Sequence, residues 1–440
     1  MSGIGKRLTG LAATAALALA ASACTSGTAP GKTAGHGSGQ TSAASSGASA
    51  QPAPSPSPAP RYLTITPANR TASADPSAGI TVTAASGTLT NVAVHTSGSP
   101  VTGTYNGGKT SWHSTWTLGV SQSYTVTASA RVNGRAVTQT AAFKTLTPAK
   151  TFTTEILEGY GQTYGVGMPV ILYFSQHITN KAAVERALQI NSSKPVTGAW
   201  YWDDSCNMAV SCAYFRPRDY WPANTSVSFT GHLDGVEGAP GVYGHHTLTQ
   251  TFRIGASLIA VGSPKTHRTR IYYNGKLRYD WPISTGKPGD DTPDGSYLTI
   301  EKANPVRMTG PGYSLLVPWS VRFTFSGDYF HDAYWSVGQQ GFENVSHGCV
   351  NLSPADAKTY YKLAVPGDPI TMENSPRGGV WDNGWTQWFL TWRQYLNGSA
   401  LHEAVQAGPD GSTFVNPATL PPDTAKAPLE TSPADNAAAA

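Results

Sequence analysis

Ile80-Thr81-Val82-Thr83, Leu89-Thr90-Asn91-Val92-Ala93-Val94 and Tyr124-Thr125-Val126-Thr127-Ala128 share one rhythm: an apolar residue, then a polar one. A period of two places alternate side chains on opposite faces of an extended chain, so one face can be buried and the other wetted. Trp112-His113-Ser114-Thr115-Trp116-Thr117-Leu118 repeats the pattern, and Gly, Asn and Pro punctuate the gaps between runs. Residues 61–147 therefore read as a sandwich of short antiparallel strands. The stretch 148–254 behaves alike, with Val170-Ile171-Leu172-Tyr173-Phe174 and Ser226-Val227-Ser228-Phe229 as its clearest strands.

Both sandwiches resemble immunoglobulin-like modules, and neither gathers a catalytic-looking cluster, which suits spacers or docking modules. The fold class expected is thus mainly β. The 440 residues are enough for several domains, only 13% are charged, and 46 Gly and 32 Pro fit turn-rich β structure better than helical bundles. A formal charge of +4 without any Lys/Arg block excludes a nucleic-acid footprint.

The amino terminus reads as an export signal. Lys6 and Arg7 precede a largely apolar run from Leu8 to Ala21, too short for a comfortable membrane span, so residues 1–23 are expected to be a signal peptide. Ala21-Ser22-Ala23-Cys24 resembles a lipobox, which would lipidate Cys24 and anchor the protein at the outer face of the membrane or in the wall. Ala21 departs from the usual Leu or Val, leaving ordinary cleavage after an Ala-x-Ala-like site as the alternative. Residues 24–60, Ser/Gly-rich and ending in a proline-rich stem, form a spacer without a core. At the other end, residues 408–440 are expected to be a disordered Pro/Ala/Thr tail, preceded at 376–407 by a Trp-rich subdomain carrying Trp381, Trp385, Trp388 and Trp392. That cluster is either a packed plug or a glycan-stacking surface.

In an oxidising exterior, Cys206 and Cys212 are expected to pair as a local disulfide. With Cys24 assigned to export, Cys349 is left as an unpaired thiol in Ser346-His347-Gly348-Cys349-Val350-Asn351. A nucleophilic cysteine needs a neighbour that takes its proton or stabilises its charge. His331, at the end of the expected strand Asp328-Tyr329-Phe330-His331, is the candidate base. A helix capped by Ser353, with Pro354 at its first position and Pro366-Gly367 beyond its end, follows the cysteine. Were its amino-terminal end to face the sulfur, it would favour the thiolate. His347 is expected to be structural. A zinc site from His331, His347 and Cys349 is the competing reading, though no compact ligand motif supports it.

His331-Asp332-Ala333-Tyr334-Trp335-Ser336-Val337-Gly338 followed by Ser346-His347-Gly348-Cys349-Val350-Asn351 resembles the catalytic motif of the L,D-transpeptidase (YkuD) family. Ser284-Thr285-Gly286-Lys287 and Thr292-Pro293-Asp294-Gly295 also resemble that family, and the whole layout resembles its actinobacterial type. The resemblance implies a β-rich catalytic domain at 255–375 and an acyltransferase that joins peptidoglycan stem peptides. Cys349 would attack the third residue of a donor tetrapeptide, release D-Ala and pass the acyl group to an acceptor amine in a 3→3 cross-link. His331 would serve as base and then acid, with backbone groups of His347 and Gly348 at the oxyanion. Tyr313, Ser326, Gly327, Ser346 and Asn351 would line the donor site. No cofactor is implied, and carbapenem β-lactams would be inhibitors. Two departures stand out: Asp332 replaces a frequent Ser, and Ala303-Asn304-Pro305-Val306-Arg307-Met308 is shorter than the family's lid. An inactive wall-binding rod and an L,D-carboxypeptidase that hydrolyses the same thioester are the alternatives.

Overall fold

A computed structural model describes residues 62–421 apart from 207, 208 and 311. The expected signal, spacer and Cys24 anchor lie outside the described residues, as does the chain beyond 421. Strands dominate, as the alternation demands. In Ser123–Val132 the inward positions Tyr124, Val126, Ala128, Ala130 and Val132 are all buried while their neighbours face out. A four-stranded and a three-stranded sheet close the first sandwich over Leu63, Val82, Leu89, Trp112 and Phe143.

The second sandwich departs from its expected limits. Its larger sheet contains Ala404–Gly408, paired with Val196–Asp203, and Gly411–Val415, paired in turn with Ala404–Gly408. The tail expected to be disordered from 408 is therefore folded as far as this strand. The physical reason is edge pairing: Ala404, Val405 and Ala407 are buried, so a Pro/Ala/Thr-rich segment gains both backbone hydrogen bonds and apolar burial on an existing sheet. The Trp-rich segment is likewise no separate body. Trp388 Nε1–H donates to the Gly167 carbonyl at 2.8 Å and its ring meets Tyr220 at 4.3 Å. The buried Arg216 guanidinium lies 4.3 Å from the centroids of Trp388 and Tyr395, and its Nη2 donates to the Leu390 carbonyl at 2.9 Å. The plug reading of the tryptophans fits these contacts. The Cys206–Cys212 disulfide closes the loop between Val196–Asp203 and Ser211–Pro217.

The catalytic-type domain combines a five-stranded sheet with a four-stranded one. Asn274-Gly275, both at positive φ (48° and 76°), turns Arg268–Tyr273 into Lys276–Pro282, the geometry this dipeptide favours. The second sandwich meets this domain through backbone hydrogen bonds: Gly165 N–H donates to the Pro366 carbonyl and Gly167 N–H to the Gly367 carbonyl. A Cβ on Gly165 would lie 2.2 Å from the Asp368 nitrogen, so only glycine allows the approach. Of the three α-helices among the described residues, α1 (Lys181–Arg186) lies in the second sandwich, α2 (Pro354–Leu363) follows the candidate nucleophile and α3 (Trp392–Asn397) lies in the Trp-rich segment.

Candidate active site

Two short parallel strands assemble the site. Tyr329–Asp332 pairs with Val350–Leu352 so that Phe330 faces Val350 and His331 faces Asn351. Phe330 and Val350 are fully buried in the domain core, and this apolar pair pins the register. Cys349 immediately precedes its strand, two positions before Asn351, which brings it to the side of the sheet that carries His331.

Burial decides the state of both groups. His331 is 3% exposed, and its Nδ1–H donates to the Asp332 carbonyl at 2.8 Å. A carbonyl can only accept, so this bond fixes the tautomer and leaves Nε2 as a proton acceptor. Desolvation holds the imidazole down to about 4, with the Asp332 carbonyl bond working against it. Asp332 thus acts on His331 through its backbone, while its own buried Oδ1 has no hydrogen-bond partner among the described residues. The half-buried Cys349 thiol donates to the Gly327 carbonyl at 3.7 Å. Burial pushes it up to about 12, the Asp328 carboxyl adds to the rise, and a hydrogen bond from the Tyr329 backbone opposes it. Both shifts favour the uncharged forms, a neutral thiol and a neutral imidazole.

The helix end does not reach the sulfur. Strand Val350–Leu352 separates Cys349 from α2, about 10 Å of extended chain. The end is instead satisfied locally, Ser353 Oγ accepting from Asp356 N–H at 3.2 Å. The expectation that α2 steadies a thiolate is corrected on this ground.

The other expected site residues divide. Ser346 and Asn351 turn inward. Ser346 Oγ donates to the Cys349 carbonyl at 2.6 Å and accepts from Gly348 N–H at 3.1 Å, bracing the turn. The Gly348 N–H is thereby committed and does not face an oxyanion. Asn351 is 2% exposed and donates through Nδ2 to Ser336 Oγ at 2.9 Å, tying down the turn that follows His331. Neither side chain is free to line a donor cleft, because each satisfies a polar group that the tight turns would otherwise strand. His347 is exposed; its Nε2 accepts from Lys287 Nζ at 3.1 Å and its ring lies 5.2 Å from that of Tyr313. Tyr313 opens the second strand of the hairpin Val306–Gly310/Tyr313–Val317; burial raises its phenol, and nearby Cys349 and Asp290 add to the rise. Ser326 and Gly327 sit on the loop that receives the thiol proton donor.

Three contributors escaped sequence reasoning. Buried Thr292 donates to the Gly348 carbonyl at 2.6 Å, clamping the turn that carries Cys349. Gly348, at φ +125°, has Asp328 Oδ1 only 2.4 Å from where a Cβ would sit, so a side chain there would meet this buried acid. Asn383 reaches the site from the Trp-rich segment. Thr292 lies in a quoted motif and was within reach; Asp328 and Asn383 carry no local signal. Among the described residues no three His, Cys, Asp or Glu side chains form a metal-holding group.

Comparison with known proteins gives a consistent picture. The family described as the L,D-transpeptidase catalytic domain matches residues 257–372, and a bacterial Ig domain matches residues 71–237, across both sandwiches. The chain is 34% identical over 355 residues to L,D-transpeptidase 5 of Mycobacterium tuberculosis, with 77% of each chain covered. It is 32% identical over 337 residues to L,D-transpeptidase 2 of the same species, covering 73% of this chain and 81% of that one. A solved structure of an L,D-transpeptidase in complex with imipenem is similar at 35% identity, covering 50% of this chain and 97% of the other, with a TM-score of 0.42.

Proposed function

The chain belongs to the L,D-transpeptidase family, and from that premise we propose that it forms 3→3 peptidoglycan cross-links through a thioester on Cys349. The observation that carries the reading is the pair of parallel strands that sets His331, its Nδ1–H locked on the Asp332 carbonyl, beside the side of the sheet on which Cys349 lies. His331 Nε2 takes the thiol proton as sulfur attacks the carbonyl carbon of the third stem residue. The resulting oxyanion is held by main-chain N–H groups of His347 and Cys349, the Gly348 N–H being engaged elsewhere. Collapse breaks the peptide bond, His331 protonates the departing D-Ala amine, and a thioester remains. The side-chain amine of an acceptor diaminopimelate then attacks, loses its proton to His331 and restores the thiol. Water in place of that amine gives an L,D-carboxypeptidase.

Tyr313, Ser326 and Gly327 contact the donor stem in this reading, whereas Ser346 and Asn351 position the turns around it. Carbapenems acylate Cys349 in the same way, in keeping with the imipenem complex of a relative. The enzyme works outside the cell, anchored through Cys24. The test is incubation with disaccharide-tetrapeptide followed by mass spectrometry, alongside Cys349→Ala. A dimer lacking one D-Ala supports cross-linking, and tripeptide alone supports hydrolysis. Absence of any Cys349-dependent product would refute both.

A further inference from the structure

The loop that presents Gly327 to the thiol owes its shape to a residue far along the chain. Ser326 N–H donates to Asn383 Oδ1 at 2.8 Å, and Asn383 Nδ2–H donates back to Ser326 Oγ at 2.9 Å, across a separation of 57 residues. Phe325 N–H reaches the Asn383 carbonyl at 3.4 Å. One amide therefore grips both the backbone and the side chain of one serine. Ser326 Oγ–H in turn donates to Asp328 Oδ2 at 3.2 Å, which also accepts from Thr324 Oγ1 at 2.7 Å. Gly327, at φ +108°, bridges these anchored residues and offers its carbonyl to the Cys349 thiol.

Asn383 is itself held. Its N–H donates to the Val380 carbonyl at 3.2 Å, and the next residue, Gly384, is at φ +138°, where a Cβ would come within 2.9 Å of the Phe323 carbonyl. Beyond it the segment is fastened to the second sandwich by Trp388 and Leu390 through Gly167 and Arg216.

We infer that Asn383 is a positioning residue for the transpeptidase reaction, acting through Ser326 to set the loop that holds the Cys349 thiol. This rests on Cys349 being the nucleophile.

The test uses the full chain and follows imipenem acylation by loss of β-lactam absorbance. Asn383→Asp preserves the shape and the acceptor for Ser326 N–H but removes the donor to Oγ. Its second-order acylation rate is expected to fall about tenfold, the scale of one lost hydrogen bond, with an unchanged thermal midpoint. In a Ser326→Ala background the same substitution should have no further effect, a coupling that a merely structural role would not produce. Asn383→Asp at the wild-type rate, or effects that add in the double variant, would overturn the inference alone. An adduct that survives Cys349→Ala would overturn the nucleophile assignment and this inference with it.

Discussion

Titrating Cys349 directly tests whether the enzyme rests as a thiol or as a thiolate. Burial holds the thiol at about 12 and His331 at about 4. Each pK unit is worth about 1.36 kcal/mol, so moving the proton from sulfur to imidazole costs about 11 kcal/mol before the new charges attract. Even direct contact between the two charges would return only about 4 kcal/mol at an effective protein dielectric, far short of the cost. The ion pair is therefore strongly disfavoured at rest.

The expected outcome is an ultraviolet thiolate signal, taken as the difference from Cys349→Ser, that stays flat from pH 5 to about 9. Iodoacetamide alkylation should rise with pH across the same range, without a plateau. His331→Gln should leave the resting spectrum unchanged yet slow imipenem acylation by about 10² to 10⁴, because the base is needed only as the proton moves. A thiolate step near neutrality, or alkylation that levels off from pH 6, would refute the neutral pair.

Glu158, fully buried with Oε2 accepting from Ile171 N–H at 3.2 Å, is pushed up to about 8 by desolvation. The native state thus keeps a proton that the unfolded chain releases near 4.5, so this contribution is full below that value and is lost as pH rises through about 8. The full loss is on the order of 5 kcal/mol, of which about 3 kcal/mol falls between pH 6 and 9; Glu158→Gln should abolish that difference in urea melts compared at those two pH values. Asn351→Ala strips the bond to Ser336 Oγ and should cost about 1–2 kcal/mol by urea unfolding. It should also lower the acylation rate while leaving the alkylation pH profile in place. Arg216→Met keeps the volume but removes the charge-assisted bond to Leu390 and the ring contacts, so limited proteolysis should cut residues 376–400 faster, with stability down by about 3 kcal/mol.

What could be read in the sequence follows from the range of the forces involved. Alternation in Ser123–Val132, the Asn274-Gly275 turn and the Ser353 cap are local, each set by a few neighbouring residues. The pairing of the strand that carries His331 with the strand that follows Cys349 was reachable because a strand end and a later turn must meet somewhere. Side-chain direction within a tight turn was not: Ser346 and Asn351 point inward to satisfy a carbonyl and a hydroxyl that no spacing rule reveals. The strand Gly411–Val415 was also hidden, since its partner Ala404–Gly408 and the sheet edge beneath it come from residues 196–198, some two hundred positions earlier. Composition reports whether a segment can form a core alone, and this one does not have to.

Such long-range pairing matters for the proposed chemistry because Cys349 is held by elements that cannot hold themselves. Gly327 and Gly348 give the backbone freedom to approach the thiol, and that freedom must be removed elsewhere. Thr292 removes it on the Gly348 side; Asn383 removes it on the Gly327 side. The first clamp lies within the catalytic-type domain. The second is delivered by a segment fastened through Trp388 and Arg216 to the second sandwich. That sandwich is then more than a spacer: loosening its grip on the Trp-rich segment should reach Cys349 through one asparagine, without touching a residue of the cleft.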